Sequence, residues 1–313
     1  MMRIASNWVF RETSRLGFAA VLLAGSIQAQ ADLRVFACEP EWAALAQELS
    51  PRSVVYSATT AQQDPHQVQP RPGLISKMRK ADLVVCSGAE LEVGWLPVLQ
   101  QKSGNRKVQS RDEGLFFAAD YVETIDKAES TGPLAGDIHE DGNPHLHLDP
   151  YRILDISKAL AERMANLDPA SAKIYRDNQS AFADRWQAQI ETWEKQAEPL
   201  KGLNLIAYHS NFDYLLNWLG INTVGDLEPK PGVPPSSRHL ASLLQKSQSL
   251  QVDGVIYASY QNAQGADWLS KKLGVPNVEL PMSVGGNEDS HDLTGLYGSL
   301  IQTLLKTVTG SSS

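Results

Sequence analysis

The chain has few cysteines and relatively few basic residues. It contains two cysteines among 313 residues, and its 28 lysines and arginines are outnumbered by 36 acidic residues. An acidic chain is a poor candidate for binding nucleic acid or an anionic membrane surface. The sequence also has no phosphate-binding loop of the P-loop type and no HExxH motif of zinc proteases. Any nucleotide chemistry is therefore expected in a partner.

The first 31 residues have the pattern of an export signal. Three arginines accompany or precede an apolar run from Leu16 to Ile27, and Ala29-Gln30-Ala31 supplies the small-x-small pattern of a cleavage site. The apolar run is shorter than the ~20 residues that a membrane-spanning helix needs, which argues against a membrane anchor. We therefore expect residues 1–31 to be a signal peptide and the mature chain to be periplasmic.

The two cysteines close two similar apolar runs. Cys38 ends LRVFAC and Cys86 ends ADLVVC, and both runs are typical of strands. An exported protein meets oxidising conditions, so a disulfide between them is the favoured interpretation. Two separately buried thiols and thiolate ligation of a metal are the alternatives.

Apolar strands alternate with amphipathic helices along most of the chain. This alternation indicates parallel sheets covered on both faces by helices. The predicted strands are 33–37, 54–56, 83–85, 203–207, 252–256 and 278–280. The predicted helices outside the central region are 41–49, 75–80, 91–100, 213–219, 265–273 and 293–308.

The central region predicts one long helix. Asp168-Pro169 has an N-cap acid followed by proline at the first helical position, and apolar residues then recur at helical spacing to about Lys201. The expected fold is α/β, with two lobes of parallel sheet flanked by helices and joined by this backbone helix. We predict an N-terminal metal-binding lobe at 32–167, the linking helix at 168–201 and a C-terminal metal-binding lobe at 202–313.

Three solitary histidine motifs occur at wide spacing. His66 lies in QQDPHQVQP, His145 in NPHLHLDP, and His209 directly follows a predicted strand in AYHSNFDYL. Binding groups of α/β proteins concentrate in loops and at strand ends. Neutral imidazole suits zinc, copper, iron and nickel, whereas manganese favours oxygen ligands. Folding could therefore assemble one metal site from these segments.

These segments resemble the periplasmic metal-binding receptors of ABC importers for zinc and manganese, especially the zinc-uptake branch. DPHQVQP with the following ADLVV strand is similar to that family's first-ligand segment, and NPHLHLDP to its second. AYHSNFDYLLNWLGI is similar to the third, where the zinc branch carries histidine and the manganese branch an acid. LEPKPGVPP resembles the proline-rich loop that follows. The resemblance implies that His66, His145 rather than His147, and His209 are metal ligands.

The chain departs from the family pattern at the fourth ligand. Relatives commonly place a carboxylate just after the late strand, but ELPMS at 279–283 has no acid in that loop position. Asp292, in the acidic cluster at 288–292, is our candidate for the fourth ligand, with water as the alternative. We predict that the segment 137–147 is mobile and contributes nothing to the core, and that His139 and His147 in it are auxiliary metal-catching groups.

The resemblance implies a binding protein rather than an enzyme. Such a receptor carries Zn²⁺ as its transported ligand, acts as a monomer, and delivers the ion to an ABC permease whose partner ATPase hydrolyses ATP. A periplasmic metallochaperone is a further conceivable partner. A secreted zinc chaperone, a manganese-binding receptor, and a zinc hydrolase that uses Glu140 or Glu228 as its base remain as alternative functions.

Overall fold

Two four-stranded parallel sheets form the framework of the protein. The computed structural model describes residues 33–127 and 139–309, so the predicted signal peptide at 1–31 lies outside the described residues. The first sheet has the order β2-β1-β3-β4 and the second the order β6-β5-β7-β8. The strands are β1 (Arg34–Ala37), β2 (Val54–Ser57), β3 (Leu83–Cys86), β4 (Leu115–Phe117), β5 (Asn204–Ala207), β6 (Asn222–Asp226), β7 (Gly254–Ala258) and β8 (Asn277–Leu280).

Helices cover the faces of both sheets. They are α1 (Pro40–Leu49), α2 (Pro72–Lys80), α3 (Leu96–Ser103), α4 (Pro150–Leu167), α5 (Ala172–Ala197), α6 (Asp213–Leu219), α7 (Ser237–Ser247), α8 (Gln264–Leu273) and α9 (Leu293–Leu304). This arrangement confirms the predicted fold class of two α/β lobes with a long helix. Among the described residues, no helix combines the length and apolar character that crossing a bilayer requires.

The long helix is shorter than predicted and has a partner. Helix α5 has 26 residues, and 3₁₀ turns at Pro169–Ser171 and Glu198–Leu200 flank it, each with a proline that lacks a backbone donor. Helix α4 immediately precedes it and packs along it. The sequence analysis missed α4, although Asp149 caps it by accepting from the amides of Tyr151 and Arg152. The predicted domain boundaries at 167/168 and 201/202 remain predictions.

Three other elements were also missed. Strand β4 has only three residues, and β6 is an edge strand with the polar sequence NTVGD, so neither has a clear alternating pattern. Helix α7 lies in a mostly polar segment, where only the cap by Ser236 marks its start.

One hydrophobic core connects the two sheets. Alternate residues of the central strands face it: Val35 and Ala37 of β1 from the first sheet, and Leu205 and Ala207 of β5 from the second. The opposite face of the first sheet buries Phe36 in a second cluster, and the opposite face of the second sheet buries Ile206 in a third. Because a strand alternates its side chains with period two, each sheet contributes one face to the shared core.

Aromatic side chains from α5 and α9 form the centre of the shared core. The ring of Tyr297 in α9 lies 5.2 Å from that of Trp186 and 5.0 Å from that of Trp193, both in α5. The apolar residues that recur along α5 therefore pack in the interior. These contacts anchor the long helix against the last helix of the chain.

A disulfide joins Cys38 to Cys86, which confirms the favoured interpretation of the two cysteines. Cys38 directly follows β1 and Cys86 ends β3, and these neighbouring parallel strands bring the two Cα atoms to 4.8 Å. Both cysteines are fully buried. The crosslink thus fastens the carboxyl ends of two central strands of the first sheet.

Replacing Cys38 and Cys86 together by alanine is expected to lower the free energy of unfolding by about 2–4 kcal/mol. The disulfide spans 48 residues of sequence, and its loss lets the unfolded chain gain the entropy that loop closure had removed. Denaturant unfolding of the variant and of oxidised wild type measures the difference. Equal stability of the two proteins would contradict the prediction. An unchanged number of bound metal ions in the variant would show that the cysteines are not metal ligands.

Candidate metal centre

The structure brings the three solitary histidines together. His66 lies in the loop between β2 and α2, His145 precedes α4, and His209 lies two residues after the end of β5. One ring nitrogen from each lies within 4.8 Å of the others. The ring centroids are 5.4 Å apart for His66 and His145, 6.0 Å for His66 and His209, and 5.9 Å for His145 and His209.

Two of the histidines are presented by the same kind of local turn. In Asp64-Pro65-His66 the carboxylate of Asp64 accepts the amide of His66 at 3.0 Å. In the sequence from Asn143 to His145 the side-chain oxygen of Asn143 accepts the amide of His145, also at 3.0 Å. Such turns use the side chain of the first residue to fix the backbone two positions later. The sequence therefore sets the local direction of both histidines.

Carboxylates bond the Nδ1 atoms of two of the three rings. The Nδ1 atom of His66 lies 2.9 Å from Asp64, and the Nδ1 atom of His209 lies 2.8 Å from Glu228. An acceptor at Nδ1 fixes the proton there and leaves the lone pair on Nε2 for a metal. Glu228 also accepts the amide of Gly232 at 2.8 Å. The sequence analysis missed the positioning role of both acids, and only Asp64, two residues before its histidine, gave a local signal.

His145 is buried with both ring nitrogens unpaired. The residue is 1% exposed, and neither nitrogen has a hydrogen-bond partner among the described residues. Burial, followed by the charges of His66 and His209, lowers the pKa of His145 well below its ordinary value, so the ring is neutral. A buried ring nitrogen without a partner is costly. A bound cation would satisfy one of the two nitrogens of His145, so the donor set fits a metal.

His139 also reaches the site. Its Nε2 atom lies 3.3 Å from Nε2 of His66, and the two rings stack with centroids 5.4 Å apart. Burial, followed by the charge of His66, lowers the pKa of His139 to about 4. His139, which was predicted to be an auxiliary group, therefore lies against a ligand candidate.

Hydrogen bonds fasten the segment that carries His139 to the N-terminal lobe. The amide of Glu140 donates to the carboxylate of Glu90 at 2.7 Å, and the hydroxyl of Thr124 donates to the carbonyl of Asp141 at 2.5 Å. The amide of Asn143 donates to the carbonyl of Ile125 at 2.8 Å. The described part of this segment is therefore docked, while residues 137 and 138 lie outside the described residues.

His147 does not lie with these histidines, and the prediction that its segment contributes nothing to the core is wrong at this end of the segment. It is 2% exposed, its Nε2 atom bonds the carbonyl of Met282 at 2.9 Å, and its Nδ1 atom lies 3.2 Å from Glu41. Ser283 donates to the other oxygen of Glu41 at 2.5 Å. Its neighbours Leu146 and Leu148 are core residues, so the expected core-free segment ends before them.

Asp292 is also positioned differently from the prediction. It is not a member of the histidine group, because it caps α9: its Oδ1 atom accepts the amide of Gly295 at 2.7 Å. Its Oδ2 atom lies 3.4 Å from His291, and its side chain is 48% exposed. The first turn of a helix has unpaired amides that attract a carboxylate, and Asp292 satisfies one of them.

Two buried acids lie close to the disulfide. Glu92 accepts the amides of Ser87 at 2.7 Å and Gly88 at 3.1 Å, and burial raises its pKa to about 7. Burial, followed by the charges of Glu92 and Glu41, raises the pKa of Glu39 well above its ordinary value. Cys38, Cys86 and Glu92 lie close enough to hold a metal, but both sulfurs are tied in the disulfide.

One family matches almost all of the described chain. Its description is "ZnuA: Zinc-uptake complex component A periplasmic", and the match covers residues 35–310.

Curated relatives are distant in sequence. The zinc-binding lipoprotein AdcA of Streptococcus pneumoniae is 22% identical over 213 residues, which cover 68% of this chain and 42% of AdcA. The high-affinity zinc uptake system protein ZnuA of Bacillus subtilis is 21% identical over 234 residues, covering 73% of this chain and 71% of that protein. The manganese ABC transporter substrate-binding lipoprotein PsaA of Streptococcus pneumoniae is 24% identical over 230 residues, which cover 71% of this chain and 70% of PsaA. The chain thus spans less than half the length of AdcA.

Solved structures share the fold. A crystal structure of ZnuA superposes with a TM-score of 0.73 at 18% identity and covers 89% of this chain and 100% of that chain. The substrate-binding protein FpvC from Pseudomonas aeruginosa, in complex with Mn²⁺, gives a TM-score of 0.76 at 19% identity and covers 90% and 100%.

Zinc affinity is expected to fall as pH decreases from about 7.5 to about 5.5, because protons compete for imidazole nitrogens, but the dependence should be shallow. The lowered pKa values of His145 and His139 keep both rings neutral over this range, so neither releases a proton when metal binds. At most two of the four histidines can then release one. Calorimetric titrations in buffers of different ionisation enthalpy count the protons, and release of three or more would contradict the prediction.

Proposed function

This chain belongs to the ZnuA family of periplasmic zinc-uptake components, and we propose that it is a receptor that captures Zn²⁺ outside the cytoplasm for an ABC importer. The observation that carries the proposal is the convergence of His66, His145 and His209 within 4.8 Å, two of them oriented by carboxylates. Histidine ligands backed by a carboxylate at the second ring nitrogen are the usual arrangement in zinc proteins. The three histidines are the metal ligands of this proposal.

His139 is our candidate for the fourth ligand. Two nitrogens bound to one tetrahedral zinc at about 2.0–2.1 Å lie about 3.3–3.4 Å apart. The Nε2 atoms of His139 and His66 are 3.3 Å apart, a hydrogen-bond distance that is also compatible with ligation of one ion by both rings. His139 lies outside the group whose nitrogens are all within 4.8 Å of one another, so it would have to move closer to His145 and His209. Asp292 would have to leave the N-terminus of α9 to take this position, so it is the weaker candidate.

A nitrogen-rich ligand set favours zinc over manganese. Manganese prefers carboxylate, carbonyl and water ligands, whereas imidazole suits zinc. The acids nearest these histidines, Asp64 and Glu228, bond the ring Nδ1 atoms, so they are engaged as orienting groups. The alternative of a manganese receptor, suggested by relatives such as PsaA, is therefore less well supported by the donor atoms.

The same ligand set favours binding over catalysis. A catalytic zinc site keeps one position open for water, while four protein nitrogens close the shell. A hydrolase would also need a general base, and the carboxylate of Glu228 is occupied by His209 and the amide of Gly232. Capture and release of the ion is then the whole chemical task.

The proposed partners follow from this role. They are the permease and the ATPase of an ABC importer, with the receptor acting as a monomer in the periplasm after removal of residues 1–31. A role as a zinc chaperone for another exported protein uses the same site and differs only in the recipient. Restored growth of a receptor-deficient strain in zinc-depleted medium, dependent on the permease, would separate the importer role from the chaperone role.

Isothermal titration with a competing chelator is expected to show one tight equivalent of Zn²⁺ for the wild-type chain. Substitution of His66, His145 or His209 by alanine should weaken binding by about 100-fold or more, because each variant loses one metal bond. His291→Ala is the matched control, because that side chain is 76% exposed and outside the group. A residue whose alanine variant binds zinc as tightly as the control would not be a metal ligand.

His139→Ala is expected to retain one equivalent of zinc with affinity lower by about 10–100-fold. Co²⁺ is a useful probe, because its visible absorption bands respond to a change from four nitrogens to three nitrogens and one water. Glu90→Ala, which removes the acceptor for the amide of Glu140, should produce a smaller loss in the same direction. An unchanged Co²⁺ spectrum in His139→Ala would show that His139 is not a ligand and acts only as an auxiliary group.

A further inference from the structure

His145 differs from the other two ligands of the proposed site in what lies behind its ring. His66 and His209 each have a carboxylate at Nδ1, but neither ring nitrogen of His145 has a hydrogen-bond partner among the described residues. A metal takes only one of these nitrogens. A ligating histidine almost always donates its second N–H to a carboxylate, a carbonyl or a water. At 1% exposure, His145 cannot obtain that partner from bulk solvent.

A small, partly enclosed cavity adjoins His145. Its volume is about 20 Å³, and its lining includes Glu39, Glu41, Ala61 and Ser283 as well as His145. A polar cavity needs about 10–15 Å³ to hold one water, which then makes two to four hydrogen bonds. The cavity is therefore large enough for one water and too small for a larger ligand.

Glu39 is the acid that can serve this cavity. It is 2% exposed, and neither of its carboxyl oxygens makes a well-aligned hydrogen bond among the described residues, although the carboxyl of Glu92 and the amide of Ser87 lie close enough to influence its pKa. Glu41, which also lines the cavity, is already engaged by the hydroxyl of Ser283 and lies beside His147. A buried carboxyl with unfilled hydrogen-bonding capacity and a buried imidazole without partners thus border the same space.

We propose that one buried water joins the carboxyl of Glu39 to the second ring nitrogen of His145, which makes Glu39 a positioning residue for that zinc ligand. The inference rests on the proposed function, because it assumes that His145 binds the metal. Glu39 then serves His145 as Asp64 serves His66 and as Glu228 serves His209, with a water between the two groups. Every ligand of the three-histidine group would be oriented by its own carboxyl group.

The test compares substitutions at Glu39 with a cavity-filling variant. Glu39→Ala should weaken zinc binding by about 10–100-fold, mainly through faster dissociation, because the ring of His145 loses its restraint. Glu39→Gln keeps a carbonyl acceptor and should recover most of the loss. Ala61→Val leaves Glu39 in place but fills the cavity, so it should resemble Glu39→Ala. Stopped-flow release of zinc to a chelator and equilibrium competition measure both quantities.

A readout specific to positioning is the second ring N–H of His145. In zinc-loaded wild type, nitrogen-15 NMR of the histidine side chains should show this proton protected from solvent exchange. Glu39→Ala and Ala61→Val should abolish the protection, and Glu39→Gln should retain it. His291→Ala is the control: its side chain is 76% exposed and does not line the cavity, so zinc release and the His145 signal should match wild type.

Wild-type release rates together with a protected His145 signal in Glu39→Ala would overturn the inference. If that variant does not fold, the same result in Ala61→Val would overturn it. Failure of the proposed function gives a different pattern, in which His66→Ala and His209→Ala also bind zinc as the wild type does.

Discussion

The central constraint on this structure is the burial of several imidazoles whose ring nitrogens converge on one point. Burial keeps His145 and His139 neutral, as their lowered pKa values show, so their nitrogens must be satisfied by bonding rather than by protonation. The carboxylates behind His66 and His209 fix which nitrogen of each ring remains available. A divalent cation is the ligand that relieves this arrangement, since it accepts all the lone pairs at once.

The scaffold keeps these rings at a defined distance. Residues of both sheets and of the α4–α5 hairpin belong to one core, centred on Trp186, Trp193 and Tyr297. A second, polar link lies nearer the site, where Glu41 of α1 contacts Ser283 and His147, and Tyr297 donates to the carbonyl of His147 at 2.7 Å. Buried hydrogen bonds of this kind are costly to leave unsatisfied, so they specify one relative position of the two sheets. His145 is two residues from His147 and is positioned by the same link.

Several acids near the site have roles that their charge alone does not reveal. Asp64 and Glu228 orient rings, Glu41 connects segments distant in sequence, and Asp292 caps a helix. Glu39 and Glu92 share a buried environment that raises the pKa of both groups. Burial and hydrogen bonding thus determine which groups near the site are charged. A set of neutral nitrogens can therefore bind a cation within an acidic protein.

The sequence by itself determined the alternation of strands and helices, the disulfide-compatible pair Cys38 and Cys86, and the two turns that present His66 and His145. Each of these depends on side-chain periodicity or on residues only two positions apart. Tertiary structure alone decided the rest: Glu228 is 19 residues from His209, His147 bonds a carbonyl 135 residues away, and Ser283 reaches Glu41 across 242 residues. The same histidine and carboxylate types therefore became ligand candidates, lobe contacts or helix caps according to burial and to partners that no local pattern specifies.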